Sequence, residues 1–468
     1  MSQHTTSGKA FEIESNSIDY VSPSQRHGNV KDLFTLWFCT NIAPLAVITG
    51  AMAVQTFNLN IMSALTAIIF GHFFGALILA LTSAQGPQVG IPQMIQSRAQ
   101  FGRYGALLVV IFTTMIYLGF FVSNIILSGK TLHAVIPAIP VSTATIIGAI
   151  VATLIGIVGY HFIHKFNKVG TWFMGGALLI GFMLMLPHVN AEVLAKGAFN
   201  LKGWFAMFCV CAIWQISFSP YTSDYSRYLP KEIGIFKPFI YTYLGAALGT
   251  IFAFCFGMLA VSILTTGDAM QSVKTVTGGF GYVLMILFLC NIIGHNAMNL
   301  YGASLSFITA IQTFAGTWMP SRNSRIILSI AVLIAATATA LWASSNFIGY
   351  FLNFIFAMLF ICVPWAVINL MDFYFVNKQQ YDIDSIFAED GGQYGKYNTK
   401  TLLTYFIGIV VQIPFLTNSF FTGALANIIP DVDISWIVGL LVTGIVYWLL
   451  NASRVKAVDR YDISTKKY

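Results

Sequence analysis

Two polar patterns sit inside apolar stretches of this sequence, and both could grip a flat ring. In Tyr117–Asn124 (YLGFFVSN), Phe120 and Asn124 stand four residues apart. On a helix that spacing puts a stackable ring and an amide that both donates and accepts on one face, one turn apart. A planar heterocycle needs that combination: contact with its π-face and a reader for its edge. The same pair would also serve as a packed phenylalanine and an interhelical amide bond. Further on, Cys290–Asn299 (CNIIGHNAMN) gathers Asn291, His295, Asn296 and Asn299. Polar groups this concentrated at membrane depth are costly unless they face a cavity, which weighs against a lone structural histidine. His72, between Gly71 and Gly75, has no such company and reads as packing or an interhelical hydrogen bond.

Groups of this kind need a scaffold that exposes backbone as well, and two stretches supply it. Residues 33–57 form an apolar span interrupted at Asn41-Ile42-Ala43-Pro44, and residues 209–230 begin as an apolar helix interrupted at Ser217-Phe218-Ser219-Pro220. Proline removes a backbone donor, and backbone groups freed within hydrocarbon must be satisfied by protein, water or a ligand. Paired interruptions in two halves of a chain point to an inverted-repeat secondary transporter with its site at the repeat interface. Prolines also occur in membrane helices as simple kinks.

The composition agrees with a membrane setting. Of 468 residues 57% are hydrophobic and 9% charged, far below the roughly 25% charged of soluble domains, so an all-α integral membrane protein is expected. Twelve helices are predicted near 33–57, 61–83, 105–132, 143–160, 169–187, 203–223, 236–264, 280–312, 325–344, 347–375, 401–421 and 434–452. With both termini inside the cell membrane, twenty of the 24 Lys and Arg fall on inner segments, the asymmetry that orients membrane proteins. Anionic lipid then accounts for the net charge of +7, and no nucleic-acid partner is expected. The expected organisation is a cytoplasmic tail (1–32, without a cleavable signal), five-helix repeats at 33–187 and 203–375, a cytoplasmic loop (376–400), two additional helices (401–452) and a C-terminal tail (453–468). The Gly-, Pro- and Gln-rich segment 84–104 is expected to fold against the inner mouth.

The helix cores hold no carboxylate or basic side chain, and Asp224 and Asp372 fall at helix ends within reach of water. A fully charged cargo would want a buried counter-ion, so a neutral cargo is favoured. The six cysteines all lie in apolar segments, which argues against disulfides and against a metal site. No nucleophile and base constellation is visible, so no enzyme activity is expected. A channel would call for a polar pore lining and subunit symmetry instead.

Several strings, in this order and spacing, resemble the nucleobase:cation symporter family in its purine and cytosine permease branch. They are Gln96-Ser97-Arg98 with Phe101-Gly102-Arg103-Tyr104-Gly105, Ser223-Asp224-Tyr225-Ser226-Arg227-Tyr228, Asn296 to Asn299-Leu300-Tyr301 with Ser304, and Pro364 to Asp372-Phe373-Tyr374. The resemblance covers nearly the whole chain. It implies a 5+5 inverted-repeat, LeuT-like fold with helices one and six broken, and alternating access driven by a cation gradient in a monomer. It also implies a planar substrate held between aromatics of helices three and six. By position Phe120 and Phe218 would stack, with Trp214 as the substitute for Phe218, while Asn41, Asn124 and Asn296 would read the edge. Two positions depart from the pattern: Phe120 stands where many relatives carry tryptophan, and His295 where many carry a second amide. The implied cargo is cytosine, a purine or a related nucleobase. A hydroxymethylpyrimidine, a pyridine-type vitamin, a hydantoin or allantoin, or an amino acid is the alternative.

No cofactor beyond the coupling cation is expected. Sodium would be held by carbonyls at Thr40 and Ala43 and completed by Asn291. Relatives that use sodium present hydroxyls where this chain has Cys290 and Asn291, which favours a proton. His295 is the ionisable group placed to carry it, since histidine titrates near pH 6.5.

Overall fold

A computed structural model describes residues 20–158, 160–315, 322–417, 421–429 and 432–465. Residues 1–19 of the expected N-terminal tail and 466–468 of the C-terminal tail lie outside them. The apolar runs form α1 (Lys31–Asn41), α2 (Pro44–Gln55), α3 (Ile61–Ser83), α5 (Leu107–Val135), α6 (Val141–Val158), α7 (Tyr160–Met185), α8 (Leu201–Ile216), α9 (Phe236–Ile263), α10 (Phe280–Phe314), α11 (Arg322–Ala343), α12 (Phe347–Met371), α13 (Thr399–Val410) and α14 (Ser435–Thr465). A further helix, α4 (Gln93–Phe101), lies between α3 and α5. Asparagine starts several of them: the side chains of Asn60, Asn200 and Asn398 accept from the backbone of Ser63, Gly203 and Thr401, each three residues on. The described residues contain isolated β-bridges but no strand. Six helices among them are long and apolar enough to cross a membrane, and a seventh results if α1 and α2, bent by 61°, count as one span.

Small residues bring the interrupted helices against straight ones. A Cβ on Gly257 of α9 would lie 1.7 Å from the carbonyl oxygen of Val47, and one on Gly249 would lie 2.4 Å from that of Phe38, so α9 packs directly on both α2 and α1. Gly75 does the same for α3, where a Cβ would meet the carbonyl of Ala212 in α8 at 2.2 Å. Each interrupted element thus has its own rigid support.

Two expectations need revision. The last helix runs through Thr465, beyond the predicted end at 452, because residues 453–465 contain no proline or glycine to stop it. Asp372 is fully buried, not open to water. Tyr447 of α14 donates to it at 2.6 Å, Tyr381 at 2.7 Å and the Asn377 amide at 2.9 Å. Burial, and after it the adjoining carboxylate, hold the Tyr381 hydroxyl well above the ordinary phenol range, so it stays a donor to Asp372. The 376–400 loop sits on the segment that precedes α5: Ile386 and Tyr394 pack with Ile91 and Ile95, and every residue of α4 is buried.

Candidate substrate site between two helix interruptions

The first interruption follows from two residues that cannot continue a helix together. α1 ends at Asn41, Ile42 and Ala43 take non-helical conformations, and Pro44, whose φ is preset and whose lost N–H is not needed there, begins α2. The polar groups released at this point are met by side chains. The Asn41 amide donates to the carbonyl of Trp37 at 2.8 Å and accepts from the Trp214 indole N–H at 2.9 Å. The two ring nitrogens of His295 lie 3.1 Å from the carbonyl oxygens of Asn291 and of Thr40. Asn41, Thr40, Trp214, His295 and Asn291 are therefore brought together from α1, α8 and α10. The Ala43 carbonyl accepts from Val47 at 3.2 Å inside the first turn of α2.

The second interruption is tied differently. α8 stops at Ile216, Ser217 donates back to the Trp214 carbonyl at 2.9 Å, and Pro220 lies in a single tight turn, Ser219–Tyr221. Beyond it, the Ser223 hydroxyl bonds to the Thr82 carbonyl and to the Gln93 side chain, and Ser226 donates to the Ser83 carbonyl at 2.6 Å. Asp224 accepts from the Gln93 backbone N–H at 2.9 Å. The Ser219 hydroxyl is buried with no partner among the described residues.

Between the interruptions the aromatic side chains form a chain of edge-to-face contacts. Phe120 meets Trp214 at 5.9 Å and Phe354 of α12 at 5.6 Å, and Trp214 meets Phe254 at 5.3 Å. His72 stands edge-on to Phe254 at 4.4 Å and faces Gln215, in the packing position expected for it. Phe218 does not face Phe120. It lies 5.6 Å from Trp37 and 5.9 Å from Tyr221. Asn124 is buried one turn beyond Phe120, while the side-chain oxygens of Asn296 and Asn291 are buried without a hydrogen-bond partner among the described residues. Each such acceptor calls for a partner, which a water, an ion or a ligand could supply. Cys290 is exposed.

Beside this cluster lies a cavity of about 130 Å³ that Thr40, Tyr117, Phe218, Tyr221, Asp224 and His295 help to line. Its wall is tied to α4, since Asp224 on it accepts from the Gln93 backbone N–H. Tyr117 and Tyr221 stack across it at 4.8 Å, and only a glycine at 302 leaves room for the Tyr117 ring, which a Cβ would approach to 2.4 Å. Neither tyrosine stands out as a site residue in the sequence. Tyr117 was within reach, because it precedes Phe120 by three and Asn124 by seven residues and so shares their helix face.

Known proteins align with this arrangement along almost its full length. A family model described as permease for cytosine/purines, uracil, thiamine, allantoin matches residues 20–439. The chain is 37% identical over 453 residues to YxlA of Bacillus subtilis (strain 168), named as a purine-cytosine permease, covering 95% of this chain and 97% of that one. It is 21% identical over 469 residues to the purine-cytosine permease fcyB of Emericella nidulans, covering 96% and 90%. Among solved structures, Mhp1, a nucleobase-cation-symport-1 family transporter in a closed conformation with bromovinylhydantoin bound, matches with a TM-score of 0.74 at 15% identity, covering 95% and 96%. That likeness concerns the fold, which is all-α and LeuT-like.

Proposed function

Because the chain belongs to the family of permeases for cytosine/purines, uracil, thiamine and allantoin, we propose that it imports a neutral planar nucleobase, cytosine or a purine, by proton symport with alternating access. It is a multi-pass membrane transporter and not an enzyme. The observation that carries the finer reading is the meeting of Phe120 and Trp214 beside the first interruption, next to a cavity that reaches His295. A ring entering between Phe120 and Trp214 would exchange their edge contact for stacking on both faces. Asn124 and the unpaired oxygen of Asn296 would then read its edge. Trp214, already fixed by Asn41, takes the stacking role in preference to Phe218.

Coupling is assigned to His295. A neutral imidazole has one N–H and one lone pair, yet both nitrogens here face carbonyl oxygens, and only the protonated ring can donate to both. A proton on His295 would therefore hold the Asn291 and Thr40 carbonyls together, and its release would leave the ring able to donate to one of them alone. The other ionisable groups of the same cavity are Asp224, Arg227 and the tyrosines Tyr117, Tyr221, Tyr225, Tyr228 and Tyr301. Sodium is the second reading. It is favoured by the buried, unpaired oxygen of Asn291, which would join the Thr40 and Ala43 carbonyls as a ligand. In either case residues 33–187 and 203–375 would act as inverted repeats, with the cavity opening to the cytoplasm and the plasma membrane as the site of action. Uptake of a panel of neutral heterocycles into proteoliposomes tests the substrate class. Competition by cytosine or purines but not by amino acids is expected, and preference for a hydantoin, a vitamin-type ring or an amino acid would contradict it.

A further inference from the structure

α4 carries a buried charge that transport of a neutral ring does not use. Arg98 lies near its end, 7% exposed, and its guanidinium donates to no acceptor among the described residues. Burial, and then the neighbouring Arg103, draw its pKa down to about 10, so it is still a cation at neutral pH. No carboxylate among the described residues forms an ion pair with it, and its charged neighbour is Arg103. The Arg98 nitrogens keep a little exposure, and a guanidinium so largely removed from water gains from an anion and hydrogen bonds that replace that water.

Arg103 sits nearby in a fixed position. One of its Nη atoms donates to the carbonyls of Phe387 and Ala388 at 3.3 and 2.9 Å, while its Nε is buried with no partner among the described residues. The next residue, Tyr104, stacks on Phe314 at 5.6 Å and leans on Tyr397 at 5.6 Å. Phe314 is 70% exposed and Tyr397 59%. Exposed aromatics beside basic residues at the end of a membrane span mark the headgroup level of a bilayer, and the span α5 begins at Leu107.

We propose that Arg98 and Arg103, at the junction of α4 and α5, form a binding site for the phosphate of an anionic membrane lipid. A phosphate offers several acceptors in the geometry that a guanidinium fork matches, and basic recesses at the membrane surface take such headgroups. The opposite end of α4 is tied through Gln93 to Ser223 and Asp224 at the second interruption, so a lipid held here would steady the wall of the cavity.

Free phosphate would offer the same acceptors, and the test separates the two sources. Purified transporter is placed in nanodiscs of phosphatidylcholine alone, of phosphatidylcholine with phosphatidylglycerol, and of phosphatidylcholine with inorganic phosphate in a buffer matched in ionic strength. The melting temperature and the lipid retained in native mass spectrometry are measured for wild type and Arg98→Gln. Phosphatidylglycerol is expected to raise the wild-type melting temperature by several degrees with one retained molecule, and Arg98→Gln to lose both effects. An equal response of the variant overturns the site, and an equal response to inorganic phosphate overturns the lipid as its occupant. If Arg98→Gln does not fold, delipidated wild type decides. Short-chain phosphatidylglycerol must then give a shift that saturates near one equivalent, and a shift that never saturates overturns the proposal.

Discussion

The two interruptions are made of similar material, a proline among small and polar residues, yet they satisfy their freed groups in opposite ways. At the first, the partners come from distant elements and carry chemistry: Trp214 on Asn41, and His295 on the Thr40 carbonyl. At the second, the hydroxyls of Ser223 and Ser226 fasten the chain to the end of α3, the Ser219 hydroxyl is left unpaired, and Phe218 and Tyr221 line an open cavity. A break whose carbonyl is occupied by an ionisable ring is suited to sensing a cation. One whose aromatics border a cavity is suited to passing a flat cargo.

The contrast can be broken one residue at a time. Trp214 belongs to both interruptions, and Trp214→Ala should weaken substrate binding by about 2 kcal/mol, roughly thirtyfold, the scale of stacking a base on an aromatic side chain. Trp214→Phe should recover about half of that, and binding by calorimetry distinguishes the two; unchanged affinity in Trp214→Ala and Phe120→Ala would remove the stacking role. Next, Asn41→Ala leaves the buried indole N–H of Trp214 without its acceptor, at about 1.5 kcal/mol in stability, readable in denaturant or thermal melts. A smaller effect is expected at Asn296, whose unpaired oxygen matters only when a ligand is present. Asn296→Ala should reduce discrimination between rings differing in one donor by about 1 kcal/mol without altering the melting temperature. The smallest belongs to the second interruption: Ser219→Ala removes a hydroxyl with no partner and should change stability by less than about 0.5 kcal/mol. A loss there as large as that of Asn41→Ala would erase the difference between the two breaks.

Much of this was readable from the chain because membranes make strong demands. Apolar runs announced the helices, and Pro44 announced the 61° bend between α1 and α2, whereas at Pro220 the backbone goes on from α8 as a single tight turn. The pairing of the rings was less accessible for a specific reason. Trp214 and Phe218 are four residues apart and would share a face on a continuous helix, so either could oppose Phe120. The helix ends at Ile216, between them, and the turn that follows sends Phe218 toward Trp37. Asp372 was misplaced because one of the tyrosines that cover it comes from 75 residues further on, a contact that no local pattern encodes. Residues 84–104 were expected against the inner mouth, but the buried helix within them is too polar on average to stand out as one.

The central claim is that the first interruption senses a proton through His295. It is tested most directly by uptake of labelled cytosine or purine into proteoliposomes, with a pH gradient or a sodium gradient imposed separately, for wild type and His295→Gln. Accumulation in the wild type driven by the pH gradient alone is predicted, and its loss in His295→Gln while substrate still exchanges across the membrane without a gradient. Accumulation that follows sodium alone and survives the substitution would contradict the account and assign the cation to Asn291 and the carbonyls of Thr40 and Ala43.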